Sequence, residues 1–130
     1  MRFYCEFKLI PWPIIGNSYT CQVRSLNSTL QNDNIMKVSG NHLPRMSNTN
    51  VKALDIRGQN CEFLPQRIKN FFPNVELLRV QNSRLRSITQ SDLRTLSKLR
   101  VIHMGANLVR FFSTFLSCLI TKKKIISVVI

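Results

Sequence analysis

An apolar pattern that recurs every 24 residues constrains the fold of this 130-residue chain more than any other feature. Val51-x-x-Leu54-x-Ile56 is followed by Val75-x-x-Leu78-x-Val80 and then by Leu99-x-x-Ile102-x-Met104. Two further apolar positions recur in each copy, and they are occupied by Cys61, Leu85 and Val109 and by Leu64, Ile88 and Phe112. A fixed period of this length indicates structural units that stack on one another.

The spacing resembles the leucine-rich repeat, L-x-x-L-x-L-x-x-N-x-L. In that repeat the L-x-L core is a short strand whose side chains alternate between the core and the outside. Since one repeat cannot bury its own apolar side, copies stack and their strands form a parallel sheet. We therefore predict an α/β solenoid with a short parallel concave sheet, a convex side of loops or short helices, and an amino-terminal β-hairpin cap.

The copies differ at the position where the leucine-rich repeat carries its asparagine. Gln59, Ser83 and Asn107 occupy it, so only the third copy is regular. Because Gln and Ser also offer polar atoms to the backbone, we expect the same turn in all three. The returning segments 65–73 and 89–96 carry apolar residues at helical spacing, and Ser91-Asp92 is a predicted helix cap.

We divide the chain into a cap over residues 1–48, repeats over 49–110 with starts near 51, 75 and 99, and a tail over 111–130. A stack of repeats has an open first edge, which requires a cap. Alternation over residues 19–23 and 35–38 predicts two cap strands, and the polar segment 27–34 between them predicts a hairpin loop.

The irregular tail combines apolar residues with the basic run Lys122-Lys123-Lys124. We expect it to be either the end of the third repeat or a non-native stretch. Its apolar part, Leu108 to Ile120, is shorter than the roughly 20 residues of a membrane-spanning helix, so we expect no membrane contact. An uncapped third strand, followed by the uncharged, β-prone Ile125–Ile130, predicts self-association at the carboxyl-terminal end.

Several segments resemble secreted leucine-rich repeat proteins of flies and mosquitoes, in which a cysteine-containing β-cap precedes the repeats. They are Cys5-Glu-Phe7, Trp12-Pro13, Tyr19-Thr20-Cys21, Gly40-Asn-His42-Leu43, Ser47-Asn48 and Phe71-Phe72-Pro73-Asn74. The resemblance implies an extracellular, secreted protein with a role in immunity or cell-surface recognition. Because Met1 to Cys5 has no apolar stretch of signal-peptide length and the repeats stop early, we expect an amino-terminal fragment of such a protein.

The four cysteines permit three fully paired connectivities. The resemblance implies a Cys5–Cys21 disulfide in the cap, in keeping with the disulfides of secreted domains. Cys61 occupies a core position, where we expect a small buried hydrophobe, and any pairing with Cys118 stays open. Asn27-Ser28-Thr29 is a glycosylation sequon, so we expect a glycan on Asn27 of the secreted protein.

Charge and motifs narrow the functional classes. The chain has 19 Lys+Arg and 6 Asp+Glu, a net charge of +13, yet no block of five like charges typical of a nucleic-acid arm. His42 and His103 stand singly, and no C-x-x-C, H-x-x-x-H or catalytic motif occurs. We therefore predict no enzyme, metal site, cofactor or small-molecule substrate.

The predicted strand phase places every second residue on the concave face. The binding candidates form an apolar column of Ala53, Leu77 and Val101, a mixed column of Asp55, Arg79 and His103, and a third column that begins with Arg57 and Gln81. An apolar stripe beside a polar one favours a protein ligand. The alternative is a polyanion, such as nucleic acid, a glycosaminoglycan or anionic lipid. As Arg79 is assigned outward, we expect Arg79→Ala to cost little stability.

Overall fold

The computed structural model describes residues 1–108 and 127–129. The strands are β1 (Arg2–Trp12), β2 (Gly16–Ser25), β3 (Asn27–Ser28), β4 (Lys37–Ser39), β5 (Ala53–Arg57), β6 (Asn60–Cys61), β7 (Leu77–Gln81), β8 (Val101–His103) and β9 (Ser127–Val129). Two short helices, α1 (Ile68–Phe71) and α2 (Gln90–Arg94), and a 3₁₀ turn (Asn48–Asn50) complete the described elements.

Seven of these strands form one mixed sheet in the order β4-β1-β2-β5-β7-β8-β9. β1 and β2 pair antiparallel, whereas β4 runs parallel to β1 and all pairs from β2 to β9 are parallel. The strands β3 and β6 form a second, two-stranded parallel sheet. The parallel pairs match the sequence period, because Ala53 lies beside Leu77 and Leu77 beside Val101.

This 24-residue register gathers the apolar positions of the three copies into one core. The first residue of each L-x-x-L-x-L copy is buried, and so are Leu54, Leu78 and Ile102 in the middle of the strands. The core continues into the cap, where the rings of Phe3 and Phe72 lie 6.5 Å apart. The inward strand phase predicted from the sequence is supported because these residues belong to the main core, whereas Ala53, Leu77 and Val101 belong to a separate cluster.

The turns that follow the strands are held by the polar residues at the asparagine position. Asn107 Oδ1 accepts from the backbone N–H of Ser83 (2.9 Å), and Asn107 Nδ2 donates to the Val80 carbonyl (2.6 Å). Ser83 Oγ accepts from the backbone N–H of Gln59 (3.2 Å), and Gln59 Oε1 accepts from that of Leu26 (3.2 Å). The prediction that Gln and Ser serve the backbone as Asn does is confirmed.

The cap contains a hairpin, but the predicted pairing of its strands is wrong. The hairpin joins β1 and β2 through residues 13–15, whereas residues 27–34 were the predicted loop. Part of that segment, Asn27–Ser28, instead pairs in parallel with Asn60–Cys61. The reason is that β2 and β3 extend the stack: Thr20 lies beside Ala53, 33 residues on, just as Asn27 lies beside Asn60.

A disulfide between Cys5 and Cys21 joins the two hairpin strands, as predicted. Both residues are buried in the main core. In the chain-entropy model, closing a loop of this length stabilises the fold by about 3 kcal/mol. The bond therefore ties β1 to β2, the cap strand that pairs with β5 of the first repeat.

The segments 65–73 and 89–96 contain the two predicted short helices, α1 and α2. The residue that caps α2 differs from the predicted one. Thr89 Oγ1 accepts from the backbone N–H of Asp92 (3.1 Å), while the Asp92 carboxylate accepts from the backbone N–H of Thr89 (2.7 Å). Thr89 is thus the cap, in a reciprocal capping box, rather than Ser91-Asp92. An acidic residue at this position also opposes the positive end of the helix dipole.

Most of the tail lies outside the described residues, including Phe112, the third member of its repeat position. Ser127–Val129 form β9, which pairs in parallel with Val101–His103 of β8. The edge of β8, which the sequence predicted to be unpaired, therefore pairs with β9 over three residues. Self-association at the carboxyl-terminal end stays a prediction, and β9 rather than β8 has the outermost edge.

Gly40 provides a test of the contact between the cap loop and β1. It has φ +132°, and a Cβ there would overlap the carbonyl oxygen of Cys5. We expect Gly40→Ala to lower the free energy of unfolding by about 3 kcal/mol. Gly58→Ala is the control, because its Cβ would meet no atom within 4 Å and only the φ of +68° opposes it, a cost of about 1 kcal/mol. Urea unfolding measures both, and equal losses would contradict the close approach.

Candidate functional site

The face of the seven-stranded sheet opposite the main core, which we call the outer face, carries the predicted binding residues. Strand register arranges its side chains in rows that cross the strands. The first row is Lys8, Thr20, Ala53, Leu77 and Val101, and the second is Glu6, Gln22, Asp55, Arg79 and His103. A third row begins with Arg57 beside Gln81, with Gly105 beyond β8.

The apolar part of the first row is not available to a ligand. Ala53, Leu77 and Val101 are each 0% exposed, because Trp12 packs on them with Ile10 and Ile15 alongside. The Trp12 indole N–H donates to Thr20 Oγ1 (2.9 Å), which satisfies the ring's only polar atom. The prediction of an exposed apolar stripe is therefore wrong: the end of the β1–β2 hairpin covers it.

The second row contains a buried ion pair. Asp55, 2% exposed, accepts from Arg79 Nε (2.7 Å) and Nη2 (2.8 Å), and Gln22 Nε2 donates to it at 3.3 Å. The Arg79 guanidinium also stacks on Trp12, with its central carbon 4.6 Å from the ring centroid. A bidentate arginine is geometrically fixed, and the aromatic contact fixes it further.

Because of this pair, we expect Arg79→Ala to be strongly destabilising, which revises the mild effect expected from the sequence. Removing the guanidinium leaves the carboxylate of Asp55 buried and unpaired, at a cost of about 3–5 kcal/mol. Arg57→Ala on the next row is the control, because Arg57 is exposed and forms no ion pair with a described residue. Its expected effect is within about 0.5 kcal/mol. Chemical unfolding at pH 7 measures both, and similar values would refute the role of the pair.

His103 lies next to Arg79 on β8, half-buried in the second row. Desolvation, and secondly the charge of Arg79, lower the pKa of His103 below its usual value. The imidazole is thus held neutral at physiological pH. It adds a hydrogen-bonding group but no charge to this part of the outer face.

The pKa shift of His103 predicts a dependence of stability on pH. Below the ordinary histidine pKa of about 6.5, the unfolded chain binds this proton more readily than the folded chain, so folding stability falls as the pH is lowered. We expect the wild type to lose more unfolding free energy than His103→Gln when the pH is lowered from 8 to 5. Urea unfolding across that range tests it. A constant difference would rule out the shift.

The open part of the outer face is polar and basic. It comprises exposed Arg57, half-buried Gln81 and His103, and the accessible rim of Arg79. At the β1 side, Glu6 accepts from Arg24 (2.6 Å) and contacts Lys8 (3.1 Å). The hydrogen bond from Arg24, followed by that from Lys8, lowers the pKa of Glu6.

Four of the eight predicted binding residues are buried: Ala53, Asp55, Leu77 and Val101.

The remaining candidate residues have structural partners. His42 contacts the Tyr19 hydroxyl through Nδ1 (2.8 Å) and Asn48 Oδ1 through Nε2 (2.9 Å), and its ring stacks on Phe7. Burial raises the pKa of the free thiol of Cys61 to about 12, so it stays protonated and unreactive at neutral pH. The side chain of Asn27 is exposed but lies in β3, where it accepts from Asn60 Nδ2 (2.7 Å).

Within residues 1–108 and 127–129, no three residues among His, Cys, Asp and Glu come together as a metal site. In the same part of the chain, no helix is long and apolar enough to cross a membrane.

The sequence pattern did not identify Trp12 as the centre of the cluster on the outer face. Its only signal was an aromatic residue before a Pro-containing turn, and a repeat pattern does not show where a cap folds.

Comparisons with known proteins give no match to any family model, curated protein or solved structure.

Proposed function

We propose that the protein is an extracellular recognition module of the leucine-rich repeat type, which binds a protein ligand on its outer face. The observation that carries this proposal is the parallel stack β5-β7-β8, in which residues 24 apart lie side by side. A face built this way holds its side chains at fixed spacing on rigid strands. Repeat proteins use such extended faces, on the concave side of the solenoid, to bind partners.

The composition of the open part of this face supports a protein ligand. Arg79 is an arginine fixed by a carboxylate and an aromatic ring, and arginine is enriched at protein–protein interfaces. Being fixed already, it loses little side-chain entropy when a partner binds. Arg57, Gln81 and His103 around it add one exposed cation and two hydrogen-bonding groups.

The disulfide supports the proposed extracellular location. Disulfides persist in oxidising compartments, and the Cys5–Cys21 bond is compatible with secretion. A glycan on Asn27 belongs to the same proposal, as does the role in immunity or cell-surface recognition that the resemblance to fly and mosquito proteins implies.

A binding screen tests the proposed function. The oxidised full chain is immobilised and exposed to a library of purified extracellular domains at 150 mM NaCl. We expect at least one ligand whose binding survives this salt concentration and weakens at least tenfold in Arg57→Glu/Gln81→Arg. The control is Lys98→Glu, an exposed residue outside the outer face, which should leave binding within twofold.

Two results would overturn the proposal. One is the absence of any binding partner that survives physiological salt. The other is an interaction that Lys98→Glu weakens at least as much as Arg57→Glu/Gln81→Arg does, because that behaviour indicates attraction to the net positive charge and favours the polyanion alternative.

A further inference from the structure

An open cavity of about 510 Å³, lined by polar and charged residues, lies away from the outer face, among the segments that connect the strands. One wall comes from the cap segment after β3, the second from the residues around α1, and the third from Thr95 after α2. Its lining consists of Asn32, Asn34, Gln66, Asn70, Thr95 and two cations, Arg67 and Lys69. Of these described residues none is acidic, aliphatic or aromatic.

The two cations carry uncompensated charge. Both are exposed, and neither forms an ion pair or side-chain hydrogen bond with a described residue. Neither nearby carboxylate pairs with these cations: Glu62 pairs with Arg86, and Asp92 accepts from the lining residue Gln66 and from the Thr89 backbone. Asp33 follows Asn32 in the sequence but does not line the cavity.

The walls are fixed by the backbone. The N–H of Gln66 donates to the carbonyl of Asp33 (2.8 Å), and the carbonyl of Gln66 accepts from the N–H of Ile35 (3.1 Å). Arg67 follows with φ +70°, in the left-handed region, and its carbonyl accepts from Asn70 N–H (3.1 Å). The cap and the first helix are therefore held together on either side of the cavity before any ligand binds.

We propose that this cavity binds a sulfated saccharide unit of a glycosaminoglycan chain. Arg67 and Lys69 would pair with sulfate groups, which accept charge-assisted hydrogen bonds. The carboxamides of Asn32, Asn34 and Asn70 both donate and accept, as recognition of sugar hydroxyls requires. A lining without aromatic rings gives no stacking platform for nucleobases.

This proposal goes beyond the protein-recognition function: it rests on the proposed extracellular location but not on a protein ligand. The cavity shares no lining residue with the outer face, so a glycan and a protein ligand would not compete for the same side chains. A glycan held here would retain the protein in an extracellular matrix while its outer face remains open.

Isothermal titration of the oxidised full chain at 150 mM NaCl tests the site with three probes. They are a heparin-derived hexasaccharide, the same saccharide fully desulfated, and inorganic sulfate. We expect the hexasaccharide to bind at least tenfold more tightly than either of the others. If inorganic sulfate binds equally well, the cavity is only an anion site and the saccharide proposal fails.

Variants locate the binding. Arg67→Asn/Lys69→Gln removes both cations, and asparagine tolerates the left-handed backbone at position 67. We expect its Kd for the hexasaccharide to rise at least tenfold, and that of the uncharged change Asn70→Ala to rise several-fold. The control Arg84→Asn/Lys98→Gln removes the same charge elsewhere, since Arg84 is exposed with a left-handed φ of 60° and lies outside the cavity lining, and it should stay within twofold. Circular dichroism verifies that each variant is folded. Equal losses in the two double variants, or no effect of Asn70→Ala, would overturn the proposal.

Discussion

Parallel pairing of strands in 24-residue register is the constraint on which the rest of the structure depends. It places each residue beside its own counterpart in the next copy, so a single position becomes a continuous column. Apolar columns then form the core, and the polar column of Gln59, Ser83 and Asn107 satisfies backbone groups that the turns leave free. Buried polar groups without partners would be costly, which explains why the degenerate copies still carry polar residues there.

Parallel sheets are usually covered on both faces, and this sheet meets that requirement in an unusual way. The main core covers one face, while the hairpin of the cap folds Trp12 over the first row of the other. The same indole supports Arg79, whose guanidinium neutralises the buried carboxylate of Asp55. A hydrophobic cluster and an ion pair thus share one aromatic ring, and the outer face keeps only part of its surface for a partner.

The sequence predicts those features that repeat. The 24-residue period predicted the strands near residues 53, 77 and 101, the strand residues that face the core, and the polar turn positions. It could do so because the same pattern occurs in all three copies. It failed where residues occur once: the true hairpin turn after Trp12, the pairing of Asn27 with Asn60, and the covering of Ala53, Leu77 and Val101. Arg79 looked like a free outward residue, since its partner Asp55 occupies the same repeat position one copy earlier and is not a neighbour in sequence.

The alignment of β2 with the first repeat has a consequence for how stability is distributed along the chain. β2 is joined covalently to β1 by the disulfide and pairs in register with β5, so it is a rigid template for the strand that follows. Within the sheet each strand pairs only with its neighbours, and the contact of Trp12 with Ala53, Leu77 and Val101 is the one route by which the cap reaches further along the described outer face. Local opening should therefore become more frequent with distance from the cap.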